Sequence, residues 1–182
     1  MSEPTRDPVH RARYTFEPDG ENLVVDTWIE PAGGLPAHLH PRQEERWSVI
    51  DGEVRFQLGR TKRVISPKDG ELVVPAGTKH AIASVSDREA HLRCHVLPAR
   101  ELQAFLEDSA EAAREGLFMR GGIPRSLRGA RWAAAFLKRH REDVVMSFPP
   151  PFVQSVMIAL LAGSAAGGAA RTEVRNPRTA RR

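Results

Sequence analysis

Cysteine is almost missing from this chain, since Cys94 is the only one among 182 residues. An intramolecular disulfide is therefore excluded. The opening segment, MSEPTRDPVHRAR, also lacks the apolar core of a secretory leader. Both absences predict a reducing, cytoplasmic setting. Cys94 itself lies in a stretch of alternating apolar residues, where we expect a small buried side chain and not a nucleophile.

Motifs for phosphate handling and for hydrolase triads are absent as well. The sequence holds no glycine-rich phosphate loop and no Gly-x-Ser-x-Gly elbow. No segment repeats with a period of roughly 20 to 50 residues. Phosphoryl transfer and hydrolysis by a serine triad therefore have no support in the sequence.

The excess of positive charge is confined to the end of the chain. Lys and Arg number 27 against 23 acidic residues, which gives a net charge of +4. Residues 171–182 hold five arginines and one glutamate, so they account for the whole excess. We predict a basic, disordered tail over 171–182. Because no basic patch is indicated elsewhere, we expect no nucleic-acid partner.

Short segments of alternating apolar residues fill the first half of the chain. Asp51-Gly52 is a strong signal for a two-residue hairpin, since both positions need a positive φ. Short strands with turns about every ten residues predict a mainly β, antiparallel sandwich or barrel over residues 13–98. The polar, proline-bearing residues 1–12 are expected to form a flexible N-terminal segment. The predicted strands are 23–29, 46–50, 53–58, 60–65, 71–74, 80–85 and 91–97.

Beyond Pro98 the apolar residues recur at helical spacing. We predict a C-terminal helical extension over residues 99–170. Ser126 is placed to cap the second of its helices. The predicted helices are 100–116, 127 to about 140, and a third from Phe152. The expected buried stripe of the second helix is Leu127, Ala130, Ala134 and Leu137.

Residues 152–170 carry no charge, and their number is close to what a bilayer-spanning helix needs. The segment also holds Gln154, serines, glycines and many alanines, so it is only weakly hydrophobic. We expect a buried helix or a homodimer interface. The alternative is a weak membrane contact supported by the arginine-rich tail.

Four possible metal ligands lie in two short stretches. His38 and His40 are two residues apart, a spacing that directs both side chains to one face of a strand. Glu45 follows a proline-containing bend and can face the same point. His80 ends the turn-forming stretch Pro75-Ala-Gly-Thr-Lys-His80. Three imidazoles and one carboxylate bind divalent transition metals and leave positions open for other ligands.

These residues carry a resemblance to the cupin superfamily. The first cupin motif, G-x5-H-x-H-x3-4-E-x6-G, reads here Gly33-Gly34-Leu-Pro-Ala-His38-Leu-His40, four residues, Glu45, six residues, Gly52. The second motif, G-x5-P-x-G-x2-H-x3-N, reads Gly70, four residues, Pro75-Ala-Gly77-Thr-Lys-His80, three residues, Ser84. The leading glycines are displaced, and Ser84 replaces the final Asn. The motif spacing selects Glu45 over Glu44, because Glu45 lies seven residues before Gly52. The resemblance covers residues 30–97.

The resemblance implies an antiparallel jelly-roll β-barrel with a metal inside, like single-domain bacterial cupins, quercetinase-like enzymes among them, that carry a C-terminal helical extension. Cupins hold Fe, Mn, Ni, Cu or Zn, so one divalent transition metal of unspecified identity is expected on His38, His40, Glu45 and His80. Many cupins are dioxygenases, which favours a metal-dependent oxygenase acting on a small organic molecule, with Glu45 also serving as a base. The alternatives are a non-catalytic small-ligand sensor and a metal-dependent isomerase or cyclase.

The residues expected to line a substrate pocket follow from strand alternation. If Glu45 and His80 point inward, Trp47 and Ile82 do so too, and Phe56 belongs to the facing strand. His95 is expected there as a hydrogen-bonding or acid–base group. A solvent-exposed His95 is the alternative.

Overall fold

The computed structural model describes residues 3–162. Ten strands come first, with a 3₁₀ turn at Pro67–Asp69 between the seventh and the eighth. They are β1 (Thr5–Asp7), β2 (Ala12–Asp19), β3 (Asn22–Ile29), β4 (Gly34–Leu39), β5 (Glu44–Asp51), β6 (Val54–Leu58), β7 (Thr61–Ile65), β8 (Leu72–Val74), β9 (His80–Ser84) and β10 (Ala90–Leu97). The remaining elements are α1 (Leu102–Arg114), β11 (Phe118–Met119), β12 (Ile123–Pro124), α2 (Leu127–His140), β13 (Val145–Met146) and α3 (Pro151–Leu161).

Two antiparallel sheets share one hydrophobic core. The first has the order β1-β2-β3-β10-β5-β8 and the second the order β13-β4-β9-β6-β7. The eight strands β3 to β10 divide as β3-β10-β5-β8 against β4-β9-β6-β7, which is the double Greek key of a jelly roll. The predicted fold class is confirmed: a mainly β, antiparallel jelly roll with a C-terminal helical extension.

Alternation along the strands builds the core. On β3 the side chains of Leu23, Val25, Thr27 and Ile29 are buried, and the intervening ones are only half-buried. Similar alternation on the other central strands joins both sheets in a single buried cluster. Burying one such aliphatic side chain contributes roughly 1.5–3 kcal/mol, so this repeated pattern is the main source of stability.

Asp51-Gly52 forms a turn, but the predicted hairpin is wrong. β5 pairs with β10 and β8, whereas β6 pairs with β7 and β9. The turn therefore carries the chain from one sheet to the other. Gly52 has φ +80°, and a Cβ there would lie 3.1 Å from the Cα of Ala90. Close packing against the edge of β10 thus adds to the demand for glycine.

The N-terminal segment is more ordered than the sequence led us to expect. Residues Thr5–Asp7 pair with β2, and the side chain of Asp7 is buried. The division of the chain at residues 12, 98 and 170 stays a prediction, and the basic tail over 171–182 lies outside the described residues.

The second helix begins where its cap predicted. The Ser126 hydroxyl accepts the backbone N–H of Gly129 at 3.2 Å, and α2 follows directly. Its expected buried stripe is partly wrong. Ala134 is buried, but Leu127 is 57% exposed. Gly129 faces the carbonyl of Leu117, and Leu127 lies about 200° away around the helix, so it faces solvent.

The third helix has one anchored face and one apolar outer face. Gln154 is buried, and its amide donates to the carbonyls of Met146 and Pro149. The outer face exposes Phe152, Val156 and Leu160, so full burial of this helix is not observed. Among residues 3–162 no helix has the length and apolar character needed to cross a bilayer. The rest of the uncharged segment, 163–170, lies outside the described residues.

Candidate metal centre

The four predicted ligands come together at one end of the jelly roll. His38 on β4 is the direct register partner of His80, the first residue of β9. His40 follows the end of β4, and Glu45 lies on β5 in the opposite sheet. One possible ligand atom from each of the four residues lies within 4.8 Å of the others. Strand alternation and the bend between β4 and β5 are therefore sufficient to assemble the cluster.

Glu45 stands between two of the histidines. Its Oε1 lies 3.1 Å from Nε2 of His40, and its Oε2 lies 2.9 Å from Nε2 of His80. The indole N–H of Trp47 donates to Oε2 at 3.0 Å. The carboxylate is buried, so the hydrogen bond from Trp47 replaces water at Oε2 and holds the orientation of the group.

Each histidine is oriented through its Nδ1 atom. Nδ1 lies 2.7 Å from the carbonyl oxygen of Pro36 in His38, and 3.1 Å from that of Thr78 in His80. In His40 the partner is the carbonyl oxygen of Asp143, at 2.9 Å. A carbonyl oxygen only accepts, so Nδ1 carries the hydrogen in all three rings. Their Nε2 lone pairs are left free for a cation.

The buried nitrogen atoms fit a divalent metal. Nε2 of His40 and Nε2 of His80 have no hydrogen-bond partner within residues 3–162, although carboxylate oxygens lie about 3 Å away. Lone pairs of nitrogen and oxygen repel each other at that separation unless a positive charge lies among them. A divalent transition metal supplies that charge, and the His₃Glu donor set suits one.

The electrostatics of the cluster keep its donors available. Burial, then the charges of His80 and His40, lower the pKa of His38 to about 3, so this ring stays neutral. Burial acts to raise the pKa of Glu45, but the charge of His40 and the close approach of His40 and His80 bring it well below its usual range. In His40 burial acts to lower the pKa, and Glu45 raises it overall. A proton thus competes with a metal at His40.

Gln43 is a supporting residue that the sequence analysis missed. Its Nε2 donates to the carbonyls of Pro98 and Ala99 at 3.2 and 2.7 Å. This fixes the amide, so its Oε1 faces Nδ1 of His40 at 3.0 Å. Gln43 is two residues before Glu45 on a stretch of alternating burial, so the sequence already indicated that both side chains face the same way.

The helical extension contributes directly to the site. Strand β13 pairs with β4, with Met146 opposite His38. The carbonyl of Asp143 meets His40, and the Asp143 carboxylate pairs with Arg100 at 2.6 Å. No local pattern in the sequence indicates this contact, because more than 100 residues separate the two partners.

A cavity of about 620 Å³ opens beside the cluster, between the jelly roll and the helices. His38, His40, Glu45 and Trp47 contribute to its wall. The helical side is largely aromatic and aliphatic, with Phe105, Leu106, Trp132, Phe136, Leu137 and Val153. A volume of this size and a mostly apolar lining are typical of sites for small organic ligands.

The other predicted pocket residues lie elsewhere. Phe56 and Ile82 are buried in the core and are not part of the cavity wall. The Phe56 ring stacks on His80 with 6.1 Å between centroids, so it supports the ligand from behind. His95 is exposed, and its placement in the pocket was wrong. On β10 the side chains of Cys94 and Val96 face inward, which leaves His95 on the outer face.

Comparison with known families finds a match for the region that contains the cluster. Residues 27–96 match the family model described as Cupin domain. This range contains both halves of the His₃Glu cluster. The chain therefore carries a cupin domain over these residues.

Two curated relatives share part of this region. A protein named an oxidoreductase from Arthrobotrys oligospora is 29% identical over 96 residues, covering 49% of this chain and 38% of the relative. Oxidoreductase OpS7 from Beauveria bassiana is 43% identical over 47 residues, covering 26% of this chain and 15% of the relative. The chain thus spans well under half the length of these relatives.

Solved structures similar to this chain include KdgF from Halomonas sp., at 18% identity and a TM-score of 0.49, covering 56% of this chain and 91% of that one. An RmlC-like cupin from Shewanella frigidimarina is similar at 20% identity and a TM-score of 0.49, covering 57% of this chain and 89% of that one.

Proposed function

We propose that this protein is a metal-dependent oxygenase, dioxygenase-like in its chemistry, that acts on a small organic molecule. His38, His40, Glu45 and His80 hold one divalent transition metal, chosen from Fe, Mn, Ni, Cu and Zn. The observation that carries the proposal is the set of buried Nε2 atoms that converge on Glu45 without hydrogen-bond partners.

The metal supplies redox capacity or Lewis acidity next to the cavity. The protein's own groups supply orientation and proton handling. Trp47 holds Oε2 of Glu45, so Oε1 is the oxygen freer to take a proton from a bound substrate. Because the pKa of Glu45 lies well below its usual range, this carboxylate is ionised at neutral pH and available both as a metal ligand and as a proton acceptor.

The cavity favours a molecule with little charge. Its helical wall is mostly apolar, and an apolar wall beside Glu45 lowers the local polarity and strengthens electrostatic interactions there. Trp47 lies both against Glu45 and in the cavity wall, so it is suited to position a substrate near the base. The two curated relatives named oxidoreductases lend loose support to redox chemistry.

Metal analysis and oxygen uptake test this function together. We expect about one equivalent of a transition metal in the purified wild-type protein, and oxygen consumption with at least one member of a panel of flavonoids, diketones and catechols. His80→Ala should lose both properties. His95→Ala is the matched control, since it removes an exposed imidazole from the outer face. A protein that neither holds nor accepts a metal would overturn the proposal.

A non-catalytic ligand-binding or sensor cupin is the second candidate. The large apolar cavity favours it, because such a cavity binds an organic molecule whether or not chemistry follows. Ligand binding without oxygen uptake, unchanged in His80→Ala, would support this candidate. A metal-dependent isomerase or cyclase would instead convert its substrate without consuming oxygen and would stop when a chelator is added.

We propose further that the protein acts in the cytoplasm as a homodimer. The single cysteine suits a reducing compartment. The apolar outer face of α3, with Phe152, Val156 and Leu160, is suited to self-association. Sedimentation equilibrium of the wild type and of Phe152→Ser tests the dimer. A monomeric wild type at high concentration would contradict it.

A further inference from the structure

A second polar patch lies in the cavity wall, apart from the four candidate metal ligands. It consists of Asp7, His10 and Tyr14. Asp7 ends β1 and Tyr14 lies on β2, and the register of these strands places both side chains on the same face. Both side chains are buried, each with 2% of its surface exposed. A buried polar group needs a partner, and these two side chains meet that need differently.

Asp7 fixes the ring of His10. One carboxylate oxygen, Oδ2, lies 2.7 Å from Nδ1 of His10. The other oxygen accepts the backbone N–H groups of Val9 and His10 at 2.9 and 3.0 Å. The carboxylate therefore has one orientation, and Nδ1 is the donor. Nε2 of His10 has no partner among residues 3–162, so its lone pair is available to a molecule in the cavity.

Tyr14 supplies the complementary group. Its hydroxyl has no hydrogen-bond partner in the described part of the chain, although the residue is buried. Burial, and then the negative charge of Asp7, raise the pKa of Tyr14, so the phenol keeps its hydrogen. An acceptor nitrogen on His10 and a donor hydroxyl on Tyr14, in the same cavity wall, match a ligand group that donates and accepts at once. A neutral hydroxyl group is such a ligand, whereas the charge of Asp7 repels a carboxylate.

The patch and the metal ligands lie at different ends of the cavity. In the first sheet, Glu45 is opposite Val96, Val96 opposite Leu23, and Leu23 opposite Pro18. Tyr14 is four residues further along the same strand as Pro18. Strand spacing and rise then separate the backbones at Glu45 and Tyr14 by roughly 15–20 Å. One elongated molecule of two or three rings can reach from one end towards the other.

We propose that Asp7, His10 and Tyr14 form a hydroxyl-binding subsite for a neutral, largely apolar ligand that extends towards His38, His40, Glu45 and His80. His10 accepts the hydrogen of the ligand hydroxyl through Nε2, Tyr14 donates to its oxygen, and Asp7 positions the imidazole. The subsite deepens the proposed function, because it rests on the same cavity as the substrate site and defines the class of molecule that enters it.

Fluorescence titration of the full chain with three probes tests the subsite. The probes are 2-naphthol, naphthalene and 2-naphthoate, so they share a ring system and differ in one group. The wild type should bind 2-naphthol about 3- to 10-fold more tightly than naphthalene, the range expected for one or two hydrogen bonds, and should bind 2-naphthoate most weakly. Tyr14→Phe and His10→Ala should each remove the preference for 2-naphthol while naphthalene affinity stays the same.

The controls separate binding from folding and from the metal. Tyr14→Phe keeps the ring that packs in the wall, and a melting curve shows whether His10→Ala is folded. His95→Ala removes an exposed imidazole from the same sheet and should behave as wild type. Each titration is repeated after chelation, because the subsite does not need the metal. If the preference for 2-naphthol survives chelation but the purified protein neither holds nor accepts a metal, the proposed oxygenase function is overturned and the subsite is not.

Three results would overturn the subsite. One is an equal affinity of the wild type for 2-naphthol and naphthalene, or no binding of either. Another is a preference for 2-naphthol that persists in both Tyr14→Phe and His10→Ala. The third is the tightest binding for 2-naphthoate, which would mean that the patch takes an anion.

Discussion

Gln43→Leu should weaken metal binding although Gln43 is not itself a ligand. The change removes the Oε1 acceptor of His40 and leaves the carbonyls of Pro98 and Ala99 without their donor. The carbonyl of Asp143 still holds Nδ1 of His40 at 2.9 Å, so the ring loses one of two supports. We therefore expect a loss of about tenfold in metal affinity, the low end of the 10- to 100-fold range for such outer partners.

The same change should cost stability as well. Two part-buried carbonyl oxygens lose a donor, so the expected cost is roughly 1 kcal/mol, the low end of the range for an unsatisfied buried group. Competition between the protein and a chelating dye for Zn²⁺ gives the affinity, and urea unfolding of the metal-free protein gives the stability. Gln103→Leu is the control, because within residues 3–162 the Gln103 amide bonds only to Glu107 on the surface of α1. Wild-type affinity together with wild-type stability in Gln43→Leu would refute the role given to this side chain.

Three further outcomes follow from other parts of the molecule. Gly52→Ala should lower the free energy of unfolding by roughly 1–3 kcal/mol, and Gly59→Ala should lower it by less. Both glycines have a positive φ, but only at Gly52 would a Cβ also approach Ala90. Urea titration of the two variants measures the difference. At Asp26 burial acts to raise the pKa, but hydrogen bonds from Arg93 and His91 lower it overall. Its contribution to stability is then present above the usual aspartate pKa and lost as the pH falls through the lowered value, so Asp26→Asn should flatten the acid side of a stability–pH curve; an unchanged curve would contradict this. Chelation of the metal-loaded protein should lower its melting temperature in calorimetry, and reloading with Mn²⁺ or Zn²⁺ should restore it, because a ligand of the folded state stabilises that state.

The sequence was sufficient for the local features of this protein. Period-two alternation predicted the strands, and the spacing of His38, His40, Glu45 and His80 predicted a cluster that the structure brings together. The Ser126 cap predicted the start of α2. Each of these depends on residues that are near in the chain or share a strand face.

Features that depend on distant partners could not be predicted. The Asp51-Gly52 signal describes a turn and says nothing about which strands pair on either side of it. The spacing of the apolar residues predicted that Leu127 lies on the buried face of α2. The close contact of Gly129 with Leu117 instead turns a different face of the helix inward, and Leu127 is exposed. Periodicity also left open whether His95 faces the pocket or the solvent. Because Cys94 and Val96 are buried on the inner face of β10, His95 lies on the outer face.

The hydrogen bond from His40 to Asp143 has a consequence for the order of events during synthesis. The last jelly-roll strand ends at Leu97, and Asp143 comes 46 residues later in the sequence. At ribosomal rates of about 5–20 residues per second, that interval lasts roughly 2–9 s. During this time the residues of β1 to β10 have been synthesised, but His40 still lacks its hydrogen bond to the carbonyl of Asp143. The nascent chain therefore completes its jelly-roll strands first and matures into a tight metal binder only after the helices have been made.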